Sequence, residues 1–125
     1  MIAGIVTEDG VPLIVPRLAD EDWRTVVDTG FNGALELPAA LSSRLVLESA
    51  GFITSVLAAG VTVEEEAFRT FIEFDGERIE VDVTFADVEQ ALLGTWLLAN
   101  HRLEIDFPKA TVRLTRATDS GSTHP

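Results

Sequence analysis

The chain has 125 residues, with 9 Lys+Arg set against 21 Asp+Glu for a formal charge of −12 at pH 7. A hydrophobic fraction of 46% supports one packed interior and argues against disorder, whereas dividing this length in two would leave each half short of core. The acid excess excludes nucleic acid and anionic membranes as partners, because both need basic residues to neutralise phosphate.

The absence of cysteine removes disulfides, thiol nucleophiles and cysteine-based zinc sites, and two histidines argue against a His-rich metal site. No cofactor is implied. The opening MIAGIVTEDG has no basic n-region, and no run of about 18 apolar residues occurs anywhere. The expectation is a cytoplasmic protein with one domain over residues 1–116 and a flexible tail over 117–125, where TDSGSTHP offers no apolar anchor.

Taken in chain order, the elements are mostly short strands. Ile2 to Thr7 and Val11 to Leu18 flank Glu8-Asp9-Gly10, and an Asp-Gly pair suits a tight hairpin. Trp23 to Val27 reads as a strand ending at Asp28-Thr29-Gly30. Pro38 can open a short helix running to Leu45. Phe71 to Phe74, the Asp75-Gly76 turn and Arg78 to Phe85 form the clearest hairpin. Its second arm alternates Ile79, Val81, Val83 and Phe85 with polar residues. Gly94 to Asn100 suggests a second helix, Leu103, Ile105 and Phe107 alternate again, and Ala110 to Thr115 makes the last strand. The fold class is all-β with one or two short helices.

The most informative segment is VVDTGFNG, Val26 to Gly33. Two β-branched residues carry a strand inward, and the chain then presents a carboxylate, a hydroxyl and glycines. A carboxylate at the end of a buried strand is costly unless it is hydrogen-bonded or shares a proton. An Asx-type turn, with Asp28 merely bonding backbone N–H groups, is the plain alternative. A calcium loop fails because Gly30 stands at its third position and Ala39 at its twelfth, where a bidentate Glu is required.

A second segment, ALLGTWLLANHRLEIDF from Ala91 to Phe107, runs from an apolar strand through a glycine into a short helix and an alternating strand. Together the two segments resemble the retropepsin-like (retroviral-type) aspartic proteases. Val26-Val27-Asp28-Thr29-Gly30 matches the first family element, and Leu92-Leu93-Gly94 with Leu97-Leu98 matches the second. The DTGFNG form is similar to small microbial members of clan AA, and order and spacing agree over residues 2 to 115. The resemblance implies a retropepsin-like β-barrel that works as a homodimer.

The same resemblance implies that Asp28 is the catalytic carboxylate. Thr29 would support the loop across the subunit interface, and Gly30 would admit substrate backbone. Gly51 to Glu66 would be the flap, with Leu57, Ala58, Ala59 and Gly60 at a substrate-binding tip. Two departures stand out. Many members carry an Arg after the second glycine, paired with an Asp beyond the DTG glycine. Here those positions are Thr95 and Asn32, and a paired loss leaves no orphan charge. Trp96 falls where a polar or acidic residue is common.

Of the remaining residues, Glu64-Glu65-Glu66 reads as a solvated edge. His101 reads as a helix-end residue, and Trp23 and Trp96 as core or interface residues.

The implied function is a homodimeric aspartic endopeptidase that cleaves a peptide or unfolded protein with a water held between two Asp28 carboxylates. The alternative is a catalytically inactive dimer of the same fold, acting as a peptide-binding or assembly module.

Overall fold

A computed structural model of the protein describes residues 1–56 and 58–117. The expected Leu57 contact and the tail over 118–125 lie outside the described residues. Strands β1 (Ile2–Val6) and β2 (Pro12–Ile14) form the expected hairpin, with Gly10 at φ +82° in its turn. The run expected to continue to Leu18 instead breaks at Val15-Pro16. Pro16 has no N–H to give a ladder, and its carbonyl accepts from Trp23 N–H at 3.0 Å. Beyond the break, β3 (Arg17–Leu18) and β4 (Glu21–Asp22) make a separate two-stranded sheet.

Strand β5 (Thr25–Val27) is shorter than the expected run from Trp23, and β6 (Leu35–Pro38) follows the Asp28 turn. Pro38 ends β6 as the N-cap of a 3-10 helix at Ala39–Ser43, so the first expected helix is a tight turn that buries Leu41. Strand β7 (Glu48–Val56) and the 13-residue β8 (Thr62–Phe74) form a long antiparallel hairpin. They pair from Glu48–Arg69 to Val56–Thr62, with a bulge between Ser49 and Gly51. Strand β9 (Glu77–Ala86) returns through the Asp75-Gly76 turn, whose residues lie at φ +51° and +82°.

The chain closes with β10 (Ala91–Leu93), helix α1 (Thr95–Leu98), β11 (His101–Asp106) and β12 (Thr111–Arg116). Phe107, expected to continue the alternation of β11, sits beyond the strand and is exposed.

Ten strands form one sheet in the order β11-β12-β1-β2-β5-β10-β6-β9-β8-β7. Most neighbours are antiparallel, but β10 runs parallel to β5 and β6 parallel to β9. The sheet curls into a barrel, because Phe74 of β8 and Leu114 of β12 belong to one buried cluster with Ile14, Leu35, Leu37 and Leu93. At the seam, Arg116 of β12 donates to the Asp75 carbonyl at 2.7 Å and to Glu77 Oε1 at 2.8 Å. The hydrophobic effect accounts for the curl, since β1, β2, β5, β6, β8, β9, β10 and β12 all give apolar residues to a common interior.

Candidate active site and substrate groove

The Asp28 turn leaves β5 at the point where three strands meet. Ala91, Leu92 and Leu93 of β10 pair with Thr25, Val26 and Val27, and Leu92 and Leu93 also pair with Glu36 and Leu35 of β6. Thr25, Val27, Leu35 and Leu93 are buried there. The turn is fastened by backbone bonds to the end of β10 and the start of α1. Asp28 N–H donates to Leu93 C=O at 2.9 Å, and Gly94 N–H to Ala34 C=O at 3.0 Å. Thr95 N–H donates to Phe31 C=O at 2.8 Å, and Trp96 N–H to Gly33 C=O at 3.2 Å.

These bonds bring two chain segments into direct backbone contact. A Cβ on Gly94 would overlap the carbonyl oxygens of Gly33 and Phe31. No residue larger than glycine fits without moving main chain.

Within the turn, Asp28 Oδ1 accepts from Gly30 N–H at 2.9 Å, and Phe31 N–H closes back on the Asp28 carbonyl at 3.1 Å. This is the geometry of an Asx turn. Asp28 is half-buried, whereas Thr29, Gly30 and Asn32 face solvent. The turn therefore holds a carboxylate in a fixed place at the surface of the barrel. Thr95 makes a main-chain bond to the turn at the position where the expected charge pair is missing, so this chain anchors the turn by main chain.

Beside the turn lies a groove of about 600 Å³. Phe31, Gly33 and Trp96 line its end near Asp28, while Asp28 itself is not among the lining residues. One wall is the face of the long hairpin carrying Ile53, Val63, Glu65 and Ala67. Leu35 and Glu36 of β6 and Glu80, Asp82, Val83 and Thr84 of β9 also line the groove. Burial holds the Glu36 carboxyl above its ordinary range; the nearby Glu65 charge adds to this, and a Thr84 hydrogen bond opposes it. Arg69 donates from Nε to Asp82 Oδ1 at 3.1 Å, with Glu80 Oε1 at 4.0 Å.

The sequence-derived candidates thus fall in two places. Asp28, Thr29 and Gly30 share the fastened turn. Ala58, Ala59 and Gly60 form a 3-10 turn at the hairpin tip, with Ala59 at φ +67° and Gly60 at φ +77°. The hairpin residues that line the groove, Ile53, Val63, Glu65, Ala67 and Arg69, lie on its two arms. A usable signal was present, since Val63, Glu65 and Ala67 recur with the period of two that places them on one face. Glu65 belongs to the groove, while Glu64 and Glu66 are exposed as expected of a solvated edge.

His101 opens β11 rather than capping a helix. Its ring packs against Phe74, and its Nε2 lies 3.5 Å from Asp75 Oδ2. Trp96 is 57% exposed, on the groove rim rather than in the core.

No protein-family model matches the sequence, and no curated protein matches it. Solved structures do. A retropepsin-like aspartic protease from Rickettsia conorii is similar over 90% of this chain and 88% of its own, with a TM-score of 0.65 and 20% identity. The fold is retropepsin-like. EIAV protease, solved in complex with the inhibitor HBY-793, is similar over 74% of this chain and 89% of its own, with a TM-score of 0.59 and 21% identity. At these identities the likeness is one of fold, and chemistry must be argued from the residues themselves. No helix among the described residues is long and apolar enough to cross a membrane.

Proposed function

We propose that two copies of this chain form an aspartic endopeptidase. The observation that carries the reading is the fastened Asp28 turn, a carboxylate held at the surface end of a buried strand beside a groove, in a fold shared with retropepsin-like aspartic proteases. Asp28 is the catalytic residue of the proposal. Acid–base hydrolysis needs two carboxylates sharing one proton, and each chain supplies a single DTG. A two-fold axis beside the exposed Thr29 and Gly30 brings a second Asp28 opposite the first, as an isologous dimer requires.

The ionised member of the pair takes a proton from water as its oxygen attacks the peptide carbonyl. The protonated member donates to the carbonyl oxygen, forming a neutral tetrahedral diol. The carboxyl that now holds the proton gives it to the amide nitrogen while the other takes a proton from a diol hydroxyl, so the C–N bond breaks, the carbonyl re-forms and the pair again shares one proton. Thr29 would brace the turn across the axis, and Gly30 would admit substrate backbone. The hairpin tip with Leu57, Ala58, Ala59 and Gly60 would close over an extended peptide. The lack of cysteine suits a reducing compartment such as the cytoplasm.

The test is cleavage of an unfolded protein from acidic to neutral pH by the wild type and by Asp28→Asn, with oligomeric state followed in parallel. Asp28→Asn should lose about a thousandfold in rate or more, and wild-type cleavage should fade toward pH 8 as the shared proton is lost. Equal cleavage by both proteins would remove Asp28 from the chemistry. One observation favours a second reading, in which the dimer binds peptides without cleaving them. The positions where many family members carry an Arg–Asp pair hold Thr95 and Asn32, with Thr95 joined to the turn through its backbone N–H. A dimer that binds peptide but cleaves at no pH would support that reading.

A further inference from the structure

The groove is built from two kinds of surface. Ile53, Val63, Ala67 and Val83 give it aliphatic walls. Among the described residues its lining carries more negative than positive charge, with Glu36, Glu65, Glu80 and Asp82 beside Arg69. That guanidinium is already engaged by Asp82 and Glu80. Glu36 is the distinctive member. Its backbone lies between β9 and β10, in register with Thr84 and Leu92, and its carboxyl meets the buried Thr84 on one side and the field of Glu65 on the other. A carboxylate in this position, half out of water and next to another, gains most from a cation that enters with its ligand.

Lysine and arginine fit such a place chemically. Each carries a long aliphatic stem that packs on apolar walls and a cationic head that reaches polar groups beyond them. We propose that the groove selects a peptide bearing a basic side chain, with the stem against Ile53, Val63 and Val83 and the head between Glu36 and Glu65. The proposal rests on the groove being the peptide site of the reading above, and it names the substrate class that the site takes. The chain's net charge of −12 works in the same direction, drawing basic segments toward the groove and repelling acidic ones.

The test separates binding from cleavage. Full-length Asp28→Asn protein is titrated at pH 7 and low salt with labelled peptides identical except for one lysine, norleucine or glutamate. The lysine peptide should bind about tenfold tighter than the norleucine peptide, with the glutamate peptide weakest, and added salt should narrow the gap. Adding Glu36→Gln should reduce the lysine advantage to about threefold or less, and Glu36→Gln with Glu65→Gln should abolish it.

Wild-type digestion of an unfolded protein gives a second readout, in which cut sites should be enriched in nearby Lys and Arg. Norleucine binding as well as lysine would overturn the proposal, as would a lysine preference that survives in the doubly substituted protein. A charge preference without cleavage would overturn the catalytic reading and keep this one. Asp28-dependent cleavage indifferent to charge would do the reverse.

Discussion

The turn at Asp28 and the long β7–β8 hairpin are built on opposite plans. At the turn, three short strands and α1 converge, and main-chain bonds from Asp28, Gly94, Thr95 and Trp96 hold two segments in direct backbone contact. The hairpin reaches away from the core, and Phe52 and Ile53 near its outer end are 70% and 44% exposed. Side chains can change on such a ribbon without disturbing its ladder, whereas the turn is held by close main-chain packing that tolerates no added atom at Gly94. In the proposed reading, such a site would keep its chemistry in the backbone-locked part and its recognition on the ribbon.

The sharpest way to break this contrast is Gly94→Ala. The added methyl would meet the Gly33 and Phe31 carbonyls, which are backbone atoms and cannot swing aside. Gly94 is also buried beside Leu93, so no outward relaxation is open to it. A loss of about 3 kcal/mol or more in urea unfolding is expected. A loss under about 1 kcal/mol would show that the two segments are not locked.

The contrast also explains what could be read from the sequence. Val26-Val27-Asp28 and Leu92-Leu93-Gly94 are short local patterns legible as strand ends, whereas their parallel pairing is a contact that only the folded chain displays. The β8–β9 hairpin was legible for the same reason, since Asp75-Gly76 supplies the turn and Val81 and Val83 the buried face. Thr84 is one of the polar residues that alternate along β9, where the pattern predicts a solvent-facing side chain. It is buried because β6 covers that part of β9, a contact between residues nearly fifty positions apart that no local pattern encodes. The groove was missed on similar grounds. Glu36 and Glu65 belong to separate elements, and only the curl of the sheet brings them to one cavity. The division of Val11 to Leu18 turned on Pro16, whose effect on a ladder depends on whether a neighbour needs its N–H.

Where the two regions meet, Glu36 gives a smaller and pH-dependent effect. Burial raises its carboxyl pKa in the folded chain, with Glu65 adding to the shift, so the folded state holds the proton more tightly than the unfolded state does. A raised carboxyl favours folding below its unfolded value, and that contribution is lost as pH climbs through the folded one. Glu36→Gln has no such loss. The variant should therefore match the wild type near pH 4 and be slightly the more stable at pH 7 in denaturant unfolding, a difference that solvent screening of this half-exposed carboxyl keeps small. Lysine-peptide preference should weaken on acidification over the same interval. Glu65, Glu80, Asp82 and Arg69 face the same cavity, so the double variant with Glu65→Gln is needed to assign the step. A variant less stable than wild type at pH 7 would mean that the Thr84 hydrogen bond outweighs the burial.

The smallest effect belongs to the outer hairpin, where adjacent residues should separate stability from recognition. Phe52 and Ile53 are neighbours on β7 and point to opposite faces, and only Ile53 lines the groove. Both are exposed, so replacing either by serine should change unfolding free energy by no more than about 0.5 kcal/mol. Peptide binding should divide them. Ile53→Ser removes apolar wall from the groove and should weaken binding severalfold, about 1 kcal/mol for the lost area, while Phe52→Ser should leave affinity unchanged. If Phe52→Ser weakened binding as much as Ile53→Ser, the ribbon would be recognising peptide with its outer face as well. Its two sides would then not be divided between solvent and substrate as the position of the groove implies.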